Sequence, residues 1–174
     1  MVAQVLAGVC LEAFYFIVPL HGHHIGISAS TIGVIITCAF ISNCTTRALM
    51  PMLLRRNDER RMVAVVFCIA GLSILPFALF SHPLMLMLLA AGVGICHGVA
   101  LPILSSLLYT ASPEGRQGEV GGARTVFVNS AISLTQFMAG SLSGIIGIAP
   151  VTWLVALAAF GGGWYTRRLR AAAP

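Results

Sequence analysis

Charged side chains almost vanish from six long stretches of this 174-residue chain, and that absence decides what it can fold into. The stretches run over about residues 3–20, 31–53, 62–80, 84–109, 123–145 and 150–166. Each approaches the roughly 20 apolar residues that carry a helix across a bilayer core of about 30 Å. They are about twice the 9–11 residues of a barrel strand and do not alternate, so helix is expected throughout. Ten Arg and five Asp or Glu make the chain 9% charged, with no Lys. A soluble domain carries about 25%. At 9%, a soluble chain of this size could not cover its surface with polar groups. A soluble enzyme, an acidic or disordered tail protein and a nucleic-acid reader are excluded. The net charge of +5 does not restore nucleic-acid binding, because the Arg residues sit in short clusters between apolar runs. The expectation is an all-α polytopic membrane protein: a bundle of six transmembrane helices in one transmembrane domain, residues 1–174.

The Arg clusters orient this bundle. The link after the second span holds Arg55, Arg56, Arg60 and Arg61. The link after the fourth holds Arg116, with Arg124 at its far edge, and the tail holds Arg167, Arg168 and Arg170. The other three links hold none. The positive-inside rule then places both termini in the cytoplasm, in a cell membrane taken as the bacterial inner membrane. His21, His23, His24 and His82 fall on the outer side. The inward link between spans two and three and the outward link between spans five and six are compatible with an inverted pair of three-helix units. The N-terminus lacks a basic leader and an A-x-A-like cleavage site, and Glu12 interrupts its apolar run, so it is expected to stay as the first helix. Cys10, Cys38, Cys44, Cys68 and Cys96 lie in apolar stretches with no C-x-x-C spacing, and they are expected as small buried packing residues.

The second half of the chain carries a recognisable pattern. Gly92-x-Gly94-x-x-x-Gly98 precedes Pro102. Ser112-Pro113-Glu114-Gly115-Arg116-Gln117-Gly118-Glu119 leads into Gly122-x-Arg124 and Asn129, and Gly140-x-x-x-Gly144 precedes Gly147. This resembles the C-terminal six-helix half of a major facilitator superfamily transporter, over nearly the whole chain. The link over residues 54–61 sits where that family's half-repeated cytoplasmic signature falls. Pro51 and Leu54 stand there in place of small residues, and Asn57 in place of glycine. The resemblance implies a permease or efflux protein that moves a small molecule by secondary active transport and alternating access, with a proton as coupling ion. Full transporters of the family have about twelve helices, so it also implies a separately encoded N-terminal half or a homodimer. The alternative is a truncated, non-transporting membrane fragment or an accessory membrane protein. No cofactor is implied, and no Gly-Lys-Ser/Thr sequence supports ATP drive.

Polar groups inside the apolar spans are the candidates for chemistry. Glu12 falls near the middle of the first span, where a carboxylate costs roughly 2.5–3.5 kcal/mol to insert. Gly8, Glu12, Tyr15 and Pro19 share one helix face. Glu12 is expected to bind the coupling proton or a cationic substrate group; the plainer reading is a protonated Glu bonded to a neighbouring helix. Thr125, Asn129, Ser133, Gln136 and Gly140 form a polar face on the fifth span, read either as the lining of a water-filled path or as helix–helix hydrogen bonding. Tyr15, Asn43 and His97 complete the proton or substrate candidates.

Arg47 lies seven residues before Leu54, so about 10 Å in from its helix end, and is expected near the cytoplasmic gate rather than as an anion ligand. Asp58, Glu59, Arg116 and Arg124 join that gate, with Arg124 expected to snorkel or pair with Glu119. His21-x-His23-His24 is expected as a polar outer loop rather than a metal site, since no carboxylate or thiol joins it. The glycines of the fourth span are expected to let helices approach closely. An intramembrane enzyme lacks an identifiable nucleophile or metal cluster.

Overall fold

The computed structural model describes residues 2–54, 59–113 and 115–171, and every regular element among them is helical. The helices are α1 Val2–His24, α2 Ala29–Leu54, α3 Glu59–Ile74, α4 Pro83–Thr110, α5 Gln117–Ile146 and α6 Ile148–Ala171. A single 3-10 turn, Phe77–Leu79, follows α3. Among the described residues, four segments are long and apolar enough to cross a membrane: Gln4–His24, Ala29–Leu54, Arg61–Leu79 and Pro83–Thr110. The apolar part of α6, Ile148–Trp164, is shorter. Helix α5 is long but does not join the four, because its Thr, Ser, Asn and Gln residues dilute its apolar character.

Local chemistry sets the helix ends. The backbone N–H of Thr31 donates to the Ser28 hydroxyl at 3.3 Å, which caps the start of α2. Pro83 opens α4, where its missing N–H costs nothing. Gly147 stands between α5 and α6 at φ 86°, a conformation that a side chain would strain. Two boundaries correct the sequence reading. Helix α1 runs through Pro19 to His24, so the three outer histidines end a helix rather than form a loop. A proline removes one backbone hydrogen bond, and membrane helices tolerate that loss. At the other end, Glu59 begins α3 instead of lying in the preceding link.

Small residues fix the packing. A Cβ on Gly94 would strike the Ala39 carbonyl, and one on Gly98 would lie 2.8 Å from the Asn43 carbonyl. The α2 and α4 backbones therefore run side by side in the same direction, and Ser42 Oγ donates to the Ala91 carbonyl at 2.9 Å. Gly71 receives the Phe160 ring, and Gly162 and Gly163 receive Phe67, so α3 and α6 run antiparallel. The core between them holds Phe14, Ile17, Phe67, Ile74, Phe77 and Leu86. His21 is buried with Nε2 3.1 Å from the Phe80 carbonyl, which ties the end of α1 to the link between α3 and α4. Among the cysteines, Cys10 and Cys96 are buried packing residues, but Cys44 is exposed on α2. That corrects the uniform expectation for cysteine.

The helix directions gather Val2, Leu54, Glu59, Thr110, Gln117 and Ala171 at one end of the bundle. Arg61 and Arg116 belong to that end, as does the stretch of α6 that carries Arg167, Arg168 and Arg170. We call it the basic end.

Candidate functional site

Glu12, Tyr15, Asn43 and His97 lie at one depth on three different helices. Glu12 is ten residues into α1 from the basic end and Asn43 is eleven residues into α2, so each sits about 15–17 Å from that end. Tyr15 and His97 are each thirteen residues in, about 20 Å. The rings confirm the meeting. Tyr15 and His97 have centroids 6.0 Å apart, and Tyr15 stacks on Phe40 of α2 at 5.1 Å and 12°. The close α2–α4 approach at Gly98 brings the Asn43 backbone beside His97.

Three polar atoms in this cluster are buried without a hydrogen-bond partner: Tyr15 Oη, Asn43 Oδ1 and His97 Nδ1. Asn43 is only 8% exposed, so its orphaned carbonyl is a deeply buried acceptor. Buried polar atoms are nearly always satisfied, and three orphans at similar depth on three helices need an explanation. Glu12 is half-buried and makes no ion pair among the described residues. Arg47 and Phe40 are exposed on the same stripe of α2 as Cys44, at i, i+4 and i+7 from Phe40. An arginine on that stripe favours water or protein opposite it over lipid.

Two residues of this neighbourhood escaped the sequence reading. Phe40 looked like one more apolar residue, although its place seven before Arg47 puts it on the polar stripe. Gln4 is 2% exposed, and its Nε2 donates to Ser105 Oγ at 2.9 Å across to α4, leaving its Oε1 unpartnered. Its signal was the face Gln4, Gly8, Glu12, spaced four and four.

The fifth-span candidates are less enclosed. Asn129 and Ser133 are exposed and Gln136 is half-buried. Helix α5 meets α1 through Val128 and Ile132 against Gly8 and through Gly140 against Phe16. Those contacts set Gln136 near the level of Glu12, but no side-chain hydrogen bond among the described residues joins Asn129 or Gln136 to the cluster.

Of the gate candidates, Asp58 lies outside the described residues, and Glu59 is half-buried at the start of α3. Arg116 donates from Nε at 2.9 Å and Nη2 at 2.6 Å to one oxygen of Glu119. Glu119 is thereby taken by Arg116, not Arg124, because both lie in the exposed first turn of α5. Arg124 is half-buried with Nε unpartnered. Two crevices also occur, one beside Arg61 and Val99 and one between α1, α5 and α6, and both have mainly apolar walls away from the cluster.

The family model for the Major Facilitator Superfamily matches residues 1–173. The chain belongs to the Major Facilitator Superfamily. No curated protein matches it. Membership makes it an integral membrane protein of a transporter family that handles small molecules, and the apolar helices agree.

Proposed function

We propose that this chain is the C-terminal six-helix half of a facilitator transporter. Residues 1–174 form one transmembrane domain, all six helices cross the membrane, and both termini lie in the cytoplasm of a bacterial inner membrane. The activity is proton-coupled secondary transport of a small molecule. The observation that carries the site is three buried polar atoms without a hydrogen-bond partner on three helices, at about the level of Glu12, which makes no ion pair among the described residues. Glu12 takes up and releases the coupling proton. Tyr15, Asn43 and His97 bind substrate, and Asn129 and Gln136 enter the site when α5 shifts toward it. Arg47, Asp58, Glu59, Arg116 and Arg124 serve the gate at the basic end, which faces the cytoplasm.

The exposed α2 stripe supports the need for a second half. Arg47 and Phe40 at that depth require water or protein opposite them. A separately encoded half supplies it, or a second copy related by a two-fold axis along the membrane normal. The test is proton-gradient-driven flux in proteoliposomes, with the chain alone and with a co-expressed N-terminal half. Glu12→Gln is expected to abolish the proton dependence. Unchanged proton-driven flux in that variant would refute the assignment of Glu12.

A further inference from the structure

Resting on the transport reading, we infer that the site takes an organic cation: a protonated amine carried on a flat apolar body. The cluster is built for that chemistry. Its carboxylate, Glu12, lies one turn from Tyr15 on α1 and has no cationic partner among the described residues. A carboxylate at mid-depth without a cation is costly, and an ammonium supplies the missing charge. Tyr15 and Phe40 stack at 5.1 Å and form an aromatic wall beside it, and His97 adds a third ring at 6.0 Å from Tyr15. Aromatic faces attract a cation within about 6 Å, more strongly when both are desolvated.

The orphaned atoms sharpen the class. Asn43 Oδ1 can only accept a hydrogen bond, and Tyr15 Oη can accept one. An ammonium with N–H groups satisfies both; a quaternary ammonium satisfies neither. Arg47 does not reverse this reading. It lies one turn beyond Asn43 toward the basic end, about 6 Å along α2, and makes no ion pair with Glu12 among the described residues. An anionic substrate would have to sit against the free carboxylate. Because one carboxylate holds either the proton or the ammonium, loading one displaces the other, which couples the two as an exchange.

The experiment is equilibrium binding to the protein in lipid nanodiscs, with empty discs as the partition control. Three probes share one ring system: 1-naphthylmethylammonium, its N,N,N-trimethyl analogue and 1-naphthylacetate. The primary ammonium is expected to bind saturably, the trimethyl analogue about tenfold more weakly, and the anion not at all. Glu12→Gln and Asn43→Ala are each expected to weaken the primary ammonium at least about tenfold. Phe40→Leu, on the exposed stripe and so without effect on folding, is expected to weaken both cations alike. Anion binding equal to that of the ammonium, or an unchanged dissociation constant in Glu12→Gln that remains folded by circular dichroism, overturns the inference. Proton-driven flux of some solute without ammonium binding would sink this inference and leave the transport reading standing. Saturable ammonium binding without any flux would do the reverse.

Discussion

Gly94 is the position where the packing of the site is easiest to break. It faces the Ala39 carbonyl, and a Cβ there would also lie 3.0 Å from Ser42 Cβ. The obstacle is backbone, which cannot rotate away, so Gly94→Ala must push α2 from α4. Overpacking of this kind costs about 1–3 kcal/mol. Against a backbone atom the cost falls in the upper part of that range, about 2–3 kcal/mol; alanine recovers about 1 kcal/mol through helix propensity, which leaves a net loss of about 1–2 kcal/mol. Gly144 on α5 provides the matched control, because nothing lies within 4 Å of its Cβ direction. Gly144→Ala should be neutral or stabilising by up to about 1 kcal/mol. For a chain of this size, 1 kcal/mol moves the melting temperature by about 2–4 °C. Thermal unfolding in one detergent should therefore show Gly94→Ala melting about 2–8 °C below wild type and Gly144→Ala at or above it. Equal melting temperatures for the two variants would refute the close α2–α4 approach, and with it the placement of Asn43 beside His97.

Three smaller predictions use the same assay. Ser105→Ala leaves the Gln4 amide with neither end bonded, so it should cost about 1–3 kcal/mol, whereas Gln4→Leu removes both polar ends and should cost less. A smaller loss for Ser105→Ala than for Gln4→Leu would contradict the buried hydrogen bond. His21→Phe removes the bond to the Phe80 carbonyl and should cost about 1 kcal/mol, provided the ring still fills its site against Phe77. Arg116→Ala breaks a pair whose side chains are 68% and 65% exposed, so stability should change by less than about 1 kcal/mol; a larger loss would mean that the pair is shielded.

The helical fold was legible because one physical rule dominates: a backbone in hydrocarbon must satisfy its own hydrogen bonds. That rule gave six helices at the six apolar runs. It did not give their ends, since Pro19 looked like a terminator and the histidines after it looked like a loop. Local sequence could not show that the helix bonds on either side of Pro19 survive. The polar candidates were legible one at a time, as costly residues in apolar runs. Their assembly was not, because Asn43 and His97 are distant in sequence and come to one level only where Gly94 and Gly98 let the α2 and α4 backbones touch. Phe40 stayed hidden for a related reason: one aromatic residue among many in apolar helices joins the cluster only once Tyr15 is seen stacked on it. Of the two readings of Arg124, snorkelling or pairing with Glu119, the pairing does not form, because Arg116, three residues before Glu119, takes that carboxylate.

The central claim is that the α2 stripe bearing Phe40, Cys44 and Arg47 lines an aqueous site rather than lipid or a dry interface. Cys44 is a native reporter on that stripe. In a variant that keeps Cys44 and replaces the other four cysteines with Ser or Ala, modification by a membrane-impermeant cationic thiol reagent measures the claim directly. The account predicts that Cys44 reacts in intact membranes and that 1-naphthylmethylammonium slows the reaction. A Cys44 that resists this reagent but is modified by a lipid-soluble maleimide would contradict it.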